Sequence, residues 1–303
     1  MGSSPGATAH GPLSSALFGW WSGAREDRDR LPWRSSRDPW HVLVSETMLA
    51  QTQAVRVAIR YPAMIGRFPT AASCADAPLG EVLRQWAGLG YNRRAVALHS
   101  AAITVVERHG GSVPGTLDEL VALPGVGPYT ARAVLAFAFG RDVGVVDTNV
   151  GRVLARAVAG TALGARPAQE LADSLVPPGR GREWNLAVMD FGSLVCTARS
   201  PGCDSCALAA AGACAWRSAE SGASHDPAFG SAAVTTPQVP FAGSDREGRG
   251  RLVRAACAGP IAPEQVATAA GWPDDRDRAS RVARDLVAEG LLAVGTDGTL
   301  RLP

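Results

Sequence analysis

The sequence contains no lysine, because all 30 of its basic residues are arginine. Without a side-chain amine the chain cannot form a lysine Schiff base, the usual covalent route to a sugar aldehyde, so any sugar chemistry must run without it. It also lacks an apolar run of about 18 residues, the length that spans a bilayer, and residues 1–13 lack the charged start and apolar stretch of a signal peptide. We expect a cytoplasmic protein without a membrane partner.

The sequence also lacks a strong charge of either sign. Its 30 basic residues face 28 acidic ones, for a formal net charge of +2. This balance excludes a polycationic tail, but it argues neither for nor against DNA as a partner, since basic residues can gather on one face. A length of 303 residues with 46% hydrophobic residues allows two domains, or one body with an appendage.

Helical periodicity dominates the first two thirds of the chain. Apolar residues recur at helical spacing from Ser14 to Gly140, between Gly and Pro punctuation, and residues 184–195 form one more helical pattern. We therefore predict a mainly α protein whose helical domain covers residues 14–216.

The remaining third divides into a linker and a small domain. Residues 217–247 are rich in Ser, Gly, Ala and Pro without periodicity, as linkers are. Three short helical patterns follow, and then two apolar segments flank a Gly-Thr-Asp-Gly turn. The predicted helices are 249–258, 262–270 and 275–289, and the predicted strands are 291–294 and 299–302. This order predicts a winged-helix-like domain over residues 248–303.

A glycine-rich hairpin, Leu-Pro-Gly-Val-Gly-Pro-Tyr-Thr-Ala over residues 123–131, lies between predicted helices 117–122 and 130–139. Backbone N–H groups at Gly125 and Gly127, together with the start of the second helix, could bind one DNA phosphate without reading sequence. The alternative is a tight turn between packed helices.

Two carboxylates stand in apolar surroundings. Asp147, 20 residues beyond Gly127, interrupts the apolar run 144–150, and Glu46 interrupts the run 42–49. Asp147 or Asn149 could simply cap a helix, and Glu46 could lie on a helix surface. Functionally, glycosidic cleavage uses such a pair: an acid protonates the leaving group and an ionised carboxylate stabilises the sugar cation.

Four of the six cysteines fall within 19 residues, at Cys196, Cys203, Cys206 and Cys214. In a reducing compartment such a group indicates metal ligation rather than disulfides. Either a [4Fe-4S] cluster or tetrahedral zinc satisfies four thiolates, and spacing alone slightly favours zinc.

Taken together, the ordered motifs resemble a known family. They are the hairpin, the cysteine group, and four further segments: Leu-Pro-Trp-Arg at 31–34, Ser-Glu-Thr-Met-Leu-Ala-Gln-Thr-Gln at 45–53, Gly-Leu-Gly-Tyr at 88–91 and Val-Asp-Thr-Asn-Val at 146–150. Over residues 15–216 the chain resembles the MutY branch of the endonuclease III superfamily, the helix-hairpin-helix adenine DNA glycosylases. It is most similar to the short, actinobacterial-like form.

The resemblance implies a glycosylase that removes adenine mispaired with 8-oxoguanine or guanine in base excision repair. On this basis Glu46 would protonate the purine at N7, and Asp147, with Asn149 beside it, would stabilise the oxocarbenium ion or trap it. Tyr129 occupies the hairpin position where bifunctional relatives carry their Schiff-base lysine. We therefore expect a monofunctional enzyme.

The resemblance also implies binding roles. Gln51 and Tyr91 would wedge into the base stack at the lesion, as base extrusion requires, and Trp33 and Arg34 would line the base pocket. The four cysteines, in the loop 196–214, would hold a [4Fe-4S] cluster. The expected partner is double-stranded DNA with a mismatch or lesion, bound by a monomer at the nucleoid.

Four features depart from the family pattern. The last cysteine interval has seven residues instead of the usual five, Ala50 replaces a usual Gln, and Leu186 stands where Gln or Glu commonly bonds adenine. The last 80 residues or so do not resemble the usual 8-oxoguanine-recognition domain. Excision of another base, such as a deaminated or oxidised purine or thymine in a G:T mismatch, is therefore an alternative. A non-catalytic DNA-binding module is a second one, against which the presence of both Glu46 and Asp147 argues.

Overall fold

The computed structural model describes residues 11–218, 225–231 and 240–303. The described chain is mostly helical, as the periodicity predicts. Its contacts divide into two units: unit 1 contains residues 11–37, 131–218 and 225–231, and unit 2 contains residues 38–130 and 240–303. No helix in the described ranges is long and apolar enough to cross a membrane.

The elements follow one another in chain order from α1 to α16, with one short hairpin near the end. The α-helices are α1 (Gly11–Asp29), α2 (Pro39–Leu49), α3 (Ala54–Arg67), α4 (Ala71–Ala75), α5 (Leu79–Trp86), α6 (Arg93–His109), α7 (Leu117–Val121), α8 (Pro128–Phe137), α9 (Thr148–Val153), α10 (Ala165–Leu175), α11 (Gly181–Leu194), α12 (Ala207–Ala210), α13 (Ala215–Ser218), α14 (Asp245–Ala258), α15 (Val266–Ala270) and α16 (Arg276–Ala288). A π-helix, Leu154–Ala159, continues α9, and 3-10 turns cover Cys203–Ser205 and Pro263–Gln265. The strands are β1 (Ala293–Val294) and β2 (Leu300–Arg301).

The helix-hairpin-helix motif forms where the sequence places it. Thr116 caps α7 by accepting the Glu119 N–H, and α8 begins at Pro128, two residues before its predicted start. Proline suits this position because its fixed φ matches the helix and its missing N–H would be unpaired there anyway. Leu123 and Val126 are buried on either side of the turn.

The residues after 240 show the predicted order of three helices followed by a hairpin. β1 and β2 pair antiparallel, and an isolated bridge joins Ile261 to Leu300, which adds a third short strand position to the hairpin. The winged-helix-like domain itself stays a prediction. The middle helix is shorter than predicted, because Pro263–Gln265 forms a 3-10 turn before α15. The contacts group this segment with residues 38–130; its boundary at residue 248 stays a prediction.

Part of the predicted linker, 217–247, is well packed. Residues 219–224 and 232–239 lie outside the described residues. Between them, Ala228 and Ser231 are buried, and Asp226 pairs with Arg156 of the π-helix. We call residues 225–231 the strap.

Candidate active site

The hairpin has one tightly packed glycine and one open one. Gly125 has φ +73°, and a Cβ placed on it would lie 2.5 Å from Cβ of Ala97. At Gly127 φ lies outside the left-handed region, and no heavy atom of the described residues would lie within 4 Å of an added Cβ. The hairpin backbone is therefore shaped by Gly125 and left accessible at Gly127, as a phosphate-binding turn requires.

We expect Gly125→Ala to lower the free energy of unfolding by about 2–4 kcal/mol, since it combines a left-handed backbone with a steric clash. Urea denaturation measures the loss. Gly127→Ala is the matched control: its stability should stay at the wild-type level, while its affinity for duplex DNA falls because the methyl group obstructs the phosphate. Equal stability of the two variants would contradict this account of the turn.

Glu46 lies near the end of α2 in unit 2. Asp38 begins this helix by accepting the N–H groups of Trp40 and His41. Glu46 itself is only 7% exposed, and Tyr129 at the start of α8 donates its hydroxyl proton to Oε2 of Glu46 at 3.1 Å. The alternative that Glu46 lies on a helix surface is therefore wrong. Its hydrogen-bond partner, Tyr129, is another residue singled out from the sequence.

Gln51 and Tyr91 occupy two loops of unit 2 that share an unusual backbone. Both side chains are exposed. Gln51 has φ 59° and Tyr91 has φ 48°, and among the described residues they are the two non-glycine residues with positive φ. Residues held in this region are strained and tend to occur at functional positions.

Asp147 lies in unit 1, partly buried at the start of α9. Its Oδ1 accepts the Val150 N–H at 2.7 Å, and its Oδ2 accepts from the Asn149 amide at 2.8 Å. Asp147 is thus a helix cap, one of the two sequence interpretations, and this does not exclude chemistry. Burial raises its pKa above the ordinary value, although the bonds from Val150 and Asn149 and the charge of Arg152 act in the opposite direction.

Arg152, 7% exposed, acts on Asp147 through Asn149. Its guanidinium donates to Oδ1 of Asn149 at 2.7 Å and also to the carbonyls of Thr148, Gly192 and Cys196. This fixes the Asn149 amide so that its N–H faces the carboxylate. Sequence reasoning noted Arg152 only as part of an arginine-rich helix.

A second anchor holds the extended segment before Asp147, and sequence reasoning missed it. Asn185 in α11, 2% exposed, accepts the Val145 N–H at 2.8 Å and donates to the carbonyl of Val143 at 2.8 Å. It therefore replaces the strand partner that this segment would otherwise need. The available signal was an amide between the apolar residues Trp184 and Leu186 of the helical pattern.

The residues expected to contact the base also lie in unit 1. Trp33 and Leu186 are each 8% exposed. Arg34 pairs with Asp190, which is 1% exposed and also accepts from Arg28 and Trp21. Asp190 is a buried charge that sequence reasoning did not single out, and it holds Arg34 in place. The base-binding roles of Trp33, Arg34 and Leu186 stay predictions.

All four cysteines of the loop line one pocket. No three His, Cys, Asp or Glu side chains in the described part of the chain are close enough to hold a single metal ion. Four thiolates around one pocket are a donor set that suits either a [4Fe-4S] cluster or tetrahedral zinc.

Arg156 joins this loop to the strap. Its guanidinium, 1% exposed, donates to both carboxylate oxygens of Asp226, at 2.8 and 2.5 Å. It also donates to the carbonyls of Thr197 and Ala198 and lies 3.5 Å from Sγ of Cys196. Arg156 therefore contacts both Cys196, the first cysteine of the loop, and the strap, which begins more than ten residues after Cys214.

We expect Asp226→Asn to lower the free energy of unfolding by about 3 kcal/mol, because it leaves the buried Arg156 charge without its counter-ion. Thermal or chemical denaturation measures the change. Asp204→Asn, which makes the same charge change at an exposed position of the cysteine loop, is the control and should leave stability unchanged. Wild-type stability of Asp226→Asn would show that the ion pair with Arg156 contributes nothing to the stability of unit 1.

Comparisons with known proteins show the family to which the chain belongs. Residues 44–178 match the family model of the HhH-GPD superfamily base excision DNA repair proteins. An adenine DNA glycosylase of Mycobacterium tuberculosis is 41% identical over 95% of this chain and 92% of its own length. Two solved structures share the fold: a thermostable thymine-DNA glycosylase (TM-score 0.63, 30% identity, 69% of this chain and 97% of that one) and a non-covalent endonuclease III–DNA complex (TM-score 0.55, 25%, 68% and 94%). The chain belongs to the HhH-GPD superfamily of base excision DNA repair proteins and, within it, to the MutY-type adenine DNA glycosylases.

Proposed function

We propose that this DNA-binding glycosylase is monofunctional and releases adenine mispaired with 8-oxoguanine or guanine. The observation that carries the proposal is the environment of Asp147. Its two oxygens are held by Val150 and Asn149, its position is fixed by the capped start of α9, and its charge is not cancelled by a direct ion pair with Arg152. Such a carboxylate suits stabilisation of a sugar cation.

In the proposed reaction Glu46 donates a proton to N7 of the purine, which makes the base a better leaving group. Asp147 stabilises the oxocarbenium ion, or forms a covalent bond to it that water later hydrolyses. Tyr129 holds the Glu46 carboxyl group through its hydroxyl. Because the chain has no lysine, no lysine Schiff base forms, and strand cleavage does not accompany base release.

We further propose that the four cysteines hold a [4Fe-4S] cluster, with zinc as the less favoured occupant. Cys196, Cys203, Cys206 and Cys214 would be its ligands, and Arg156 lies against the first of them. When bound, the cluster supplies a cross-link for the loop 196–214. Iron and acid-labile sulfide analysis of the purified protein tests this; stoichiometric zinc without iron would overturn it. We propose that the protein acts as a monomer on nucleoid DNA in the cytoplasm.

Base release from a duplex panel tests the function. Adenine, guanine, thymine, uracil and hypoxanthine are each placed opposite 8-oxoguanine and opposite guanine, and single-turnover release is followed. We expect adenine to be released fastest, leaving an abasic site that breaks only on alkaline treatment and is not trapped by borohydride. Failure to release adenine from either pair would overturn the assignment, and a borohydride-trapped complex would overturn monofunctionality.

Leu186 supports one competing assignment, a thymine glycosylase. Its side chain has no hydrogen-bonding group for adenine, and the thermostable thymine-DNA glycosylase shares the fold at 30% identity. We expect Leu186→Gln to raise adenine release on the order of 10-fold, the effect of one gained hydrogen bond of about 1.4 kcal/mol. Single-turnover kinetics on the same panel measure the change. An unchanged rate would show that adenine is recognised elsewhere, and faster release of thymine than adenine by the wild type would favour the competing assignment.

A further inference from the structure

Arg94, in the first turn of α6, is bonded to two separate loops of unit 2. One loop follows α2 and carries Gln51; the other follows α5 and carries Tyr91. We call residues 50–53 the first wedge loop and residues 87–92 the second wedge loop. Sequence reasoning did not single out Arg94, and the reaction proposed above gives it no role.

On the side of the first wedge loop, Nη1 of Arg94 donates to carbonyls at the end of α2. These are the carbonyls of Thr47 at 2.7 Å, Met48 at 3.0 Å, and Ala50. The last carbonyls of a helix lack partners within it, and a cation there is favourable. Arg94 therefore fixes the point at which α2 ends, at Leu49, three residues after Glu46 and two before Gln51.

On the side of the second wedge loop, Nη2 of Arg94 donates to the carbonyl of Gly90 at 3.1 Å and to Oγ1 of Thr52 in the first loop at 2.8 Å. The guanidinium also lies over the rings of Trp86 and Tyr91, 5.1 and 5.5 Å from their centroids. One planar group thus binds both loops and stacks against the proposed wedge itself. A lysine, with a single ammonium, could not supply this set of contacts.

Burying the charged side chain of Arg94 costs free energy, which indicates that its contacts have a role. Its Nε is the one buried side-chain nitrogen or oxygen in the described ranges without a hydrogen-bond partner. Burial lowers the pKa of Arg94 to about 10, so the group stays charged at neutral pH. The hydrogen bonds of Nη1 and Nη2 offset the free-energy cost of leaving Nε unpaired.

The two loops that Arg94 contacts contain the strained backbone positions of unit 2. Gln51 and Tyr91 both hold a left-handed backbone that non-glycine residues avoid. Such conformations persist only where surrounding contacts over-determine them. The Arg94 bonds reach the residue before Gln51, the residue after it, and the residue before Tyr91, so they act on both strained positions.

We propose that Arg94 is a positioning residue that holds Gln51 and Tyr91 preformed for insertion into the DNA stack when the target base is extruded. This inference rests on the proposed function. Extrusion requires base pairing and stacking to be broken, and wedges that are already ordered avoid an ordering cost at that moment. Arg94 therefore contributes to extrusion and not to cleavage of the glycosidic bond.

The test compares Arg94→Met on two duplexes. In one, the target adenine is paired opposite 8-oxoguanine; in the other, it lies opposite an abasic analogue, so that no pair must be broken. We expect single-turnover release to fall about 30-fold or more on the first and less than about 5-fold on the second. Arg94→Lys should recover part of the loss. Arg67→Met, which removes an arginine that stacks on Phe68 and pairs with Glu81 in the same unit, is the control and should match the wild type.

A double-mutant cycle with Tyr91→Ala adds a readout that a general structural role would not move. If Arg94 acts through the wedges, the two losses on the paired duplex should be far from additive. Should Arg94→Met fail to fold, Thr52→Val removes one acceptor of the same guanidinium and should lower release about 3- to 5-fold on the paired duplex alone.

Equal losses on the two duplexes, or additive losses in the cycle, would overturn the role of Arg94 while leaving the function intact. Absence of adenine release by the wild type on both duplexes would overturn the proposed function instead. In that case 2-aminopurine at the target position still tests the inference: wild-type binding should raise its fluorescence and Arg94→Met should not, and an equal rise for both would refute it.

Discussion

Asp147→Asn is expected to reduce single-turnover adenine release about 10³-fold, with DNA affinity unchanged. The magnitude follows from removing a preorganised group that stabilises charge developing in the transition state. Asparagine keeps the shape of the side chain, and its single amide oxygen can still accept the Val150 N–H, so α9 keeps its cap. It loses the hydrogen bond from the Asn149 amide, because its NH2 group cannot accept, and it loses the negative charge that would stabilise the sugar cation. Rates measured with enzyme in excess of DNA, beside a direct binding assay, separate the two effects.

Asp142→Asn provides the matched control for this variant. Asp142 lies in the same unit and also accepts backbone N–H groups, those of Gly179 and Gly181, but no part of the chemistry is assigned to it. Its variant should release adenine at the wild-type rate. If Asp147→Asn retained wild-type single-turnover kinetics, the assignment of Asp147 to the sugar cation would be wrong.

The raised pKa of Asp147 adds a pH dependence to the same prediction. Since the ionised form is the active one, wild-type release should rise with pH through an inflection above 3.8, the ordinary value for this carboxyl. The pH dependence that Asp147 gives to folding stability has the opposite sign. Between 3.8 and the raised value the folded protein binds more protons than the unfolded chain, so this group's contribution to stability falls as pH rises. Asp147→Asn lacks that fall, so the melting temperature of the variant relative to wild type should increase as pH rises from 3.8 through the raised pKa.

Local sequence signals were sufficient for the elements that carry the proposed chemistry. The hairpin was predictable because Gly125 and Pro128 impose their conformations within a few residues. Asp147 was predictable as a candidate because a carboxylate in an apolar run needs a partner or a function. The capping interpretation of Asp147 is confirmed by its bond to Val150, and the catalytic one stays a prediction that the cap does not oppose.

The partners that hold these residues were not predictable, because they come from distant parts of the chain. Asn185 lies 40 residues after Val145, Asp226 lies 70 residues after Arg156, and Arg94 reaches residues more than 40 positions earlier. A single sequence carries no signal for such pairs, and each partner alone resembles an ordinary polar residue. The composition around the strap, rich in Ser, Gly, Ala and Pro, carries no signal of the ion pair between Asp226 and the buried Arg156.

Glu46→Gln is expected to lower single-turnover adenine release by about 10²- to 10⁴-fold, the usual range for a general acid. Glutamine is isosteric and its carbonyl still accepts the Tyr129 hydroxyl, so α2 and the hairpin should keep their positions. It cannot, however, transfer a proton to the purine. Rapid-quench kinetics measure the loss, and the melting temperature checks that folding is intact. Tyr129→Phe is the companion variant, because it removes the hydroxyl and keeps the acid, and its loss should be at least about 10-fold smaller.

A substrate without the proton acceptor N7 distinguishes the role of Glu46 from that of Asp147. A duplex in which 7-deazaadenine replaces the target adenine has no N7 to protonate, so the acid has nothing to act on. We expect the wild type and Glu46→Gln to release 7-deazaadenine equally slowly, because base modification and mutation remove the same proton transfer. Asp147→Asn should slow that residual release further, since the sugar cation still forms. If Glu46→Gln also slowed release of 7-deazaadenine, Glu46 would act on the sugar or the water and not on the leaving base.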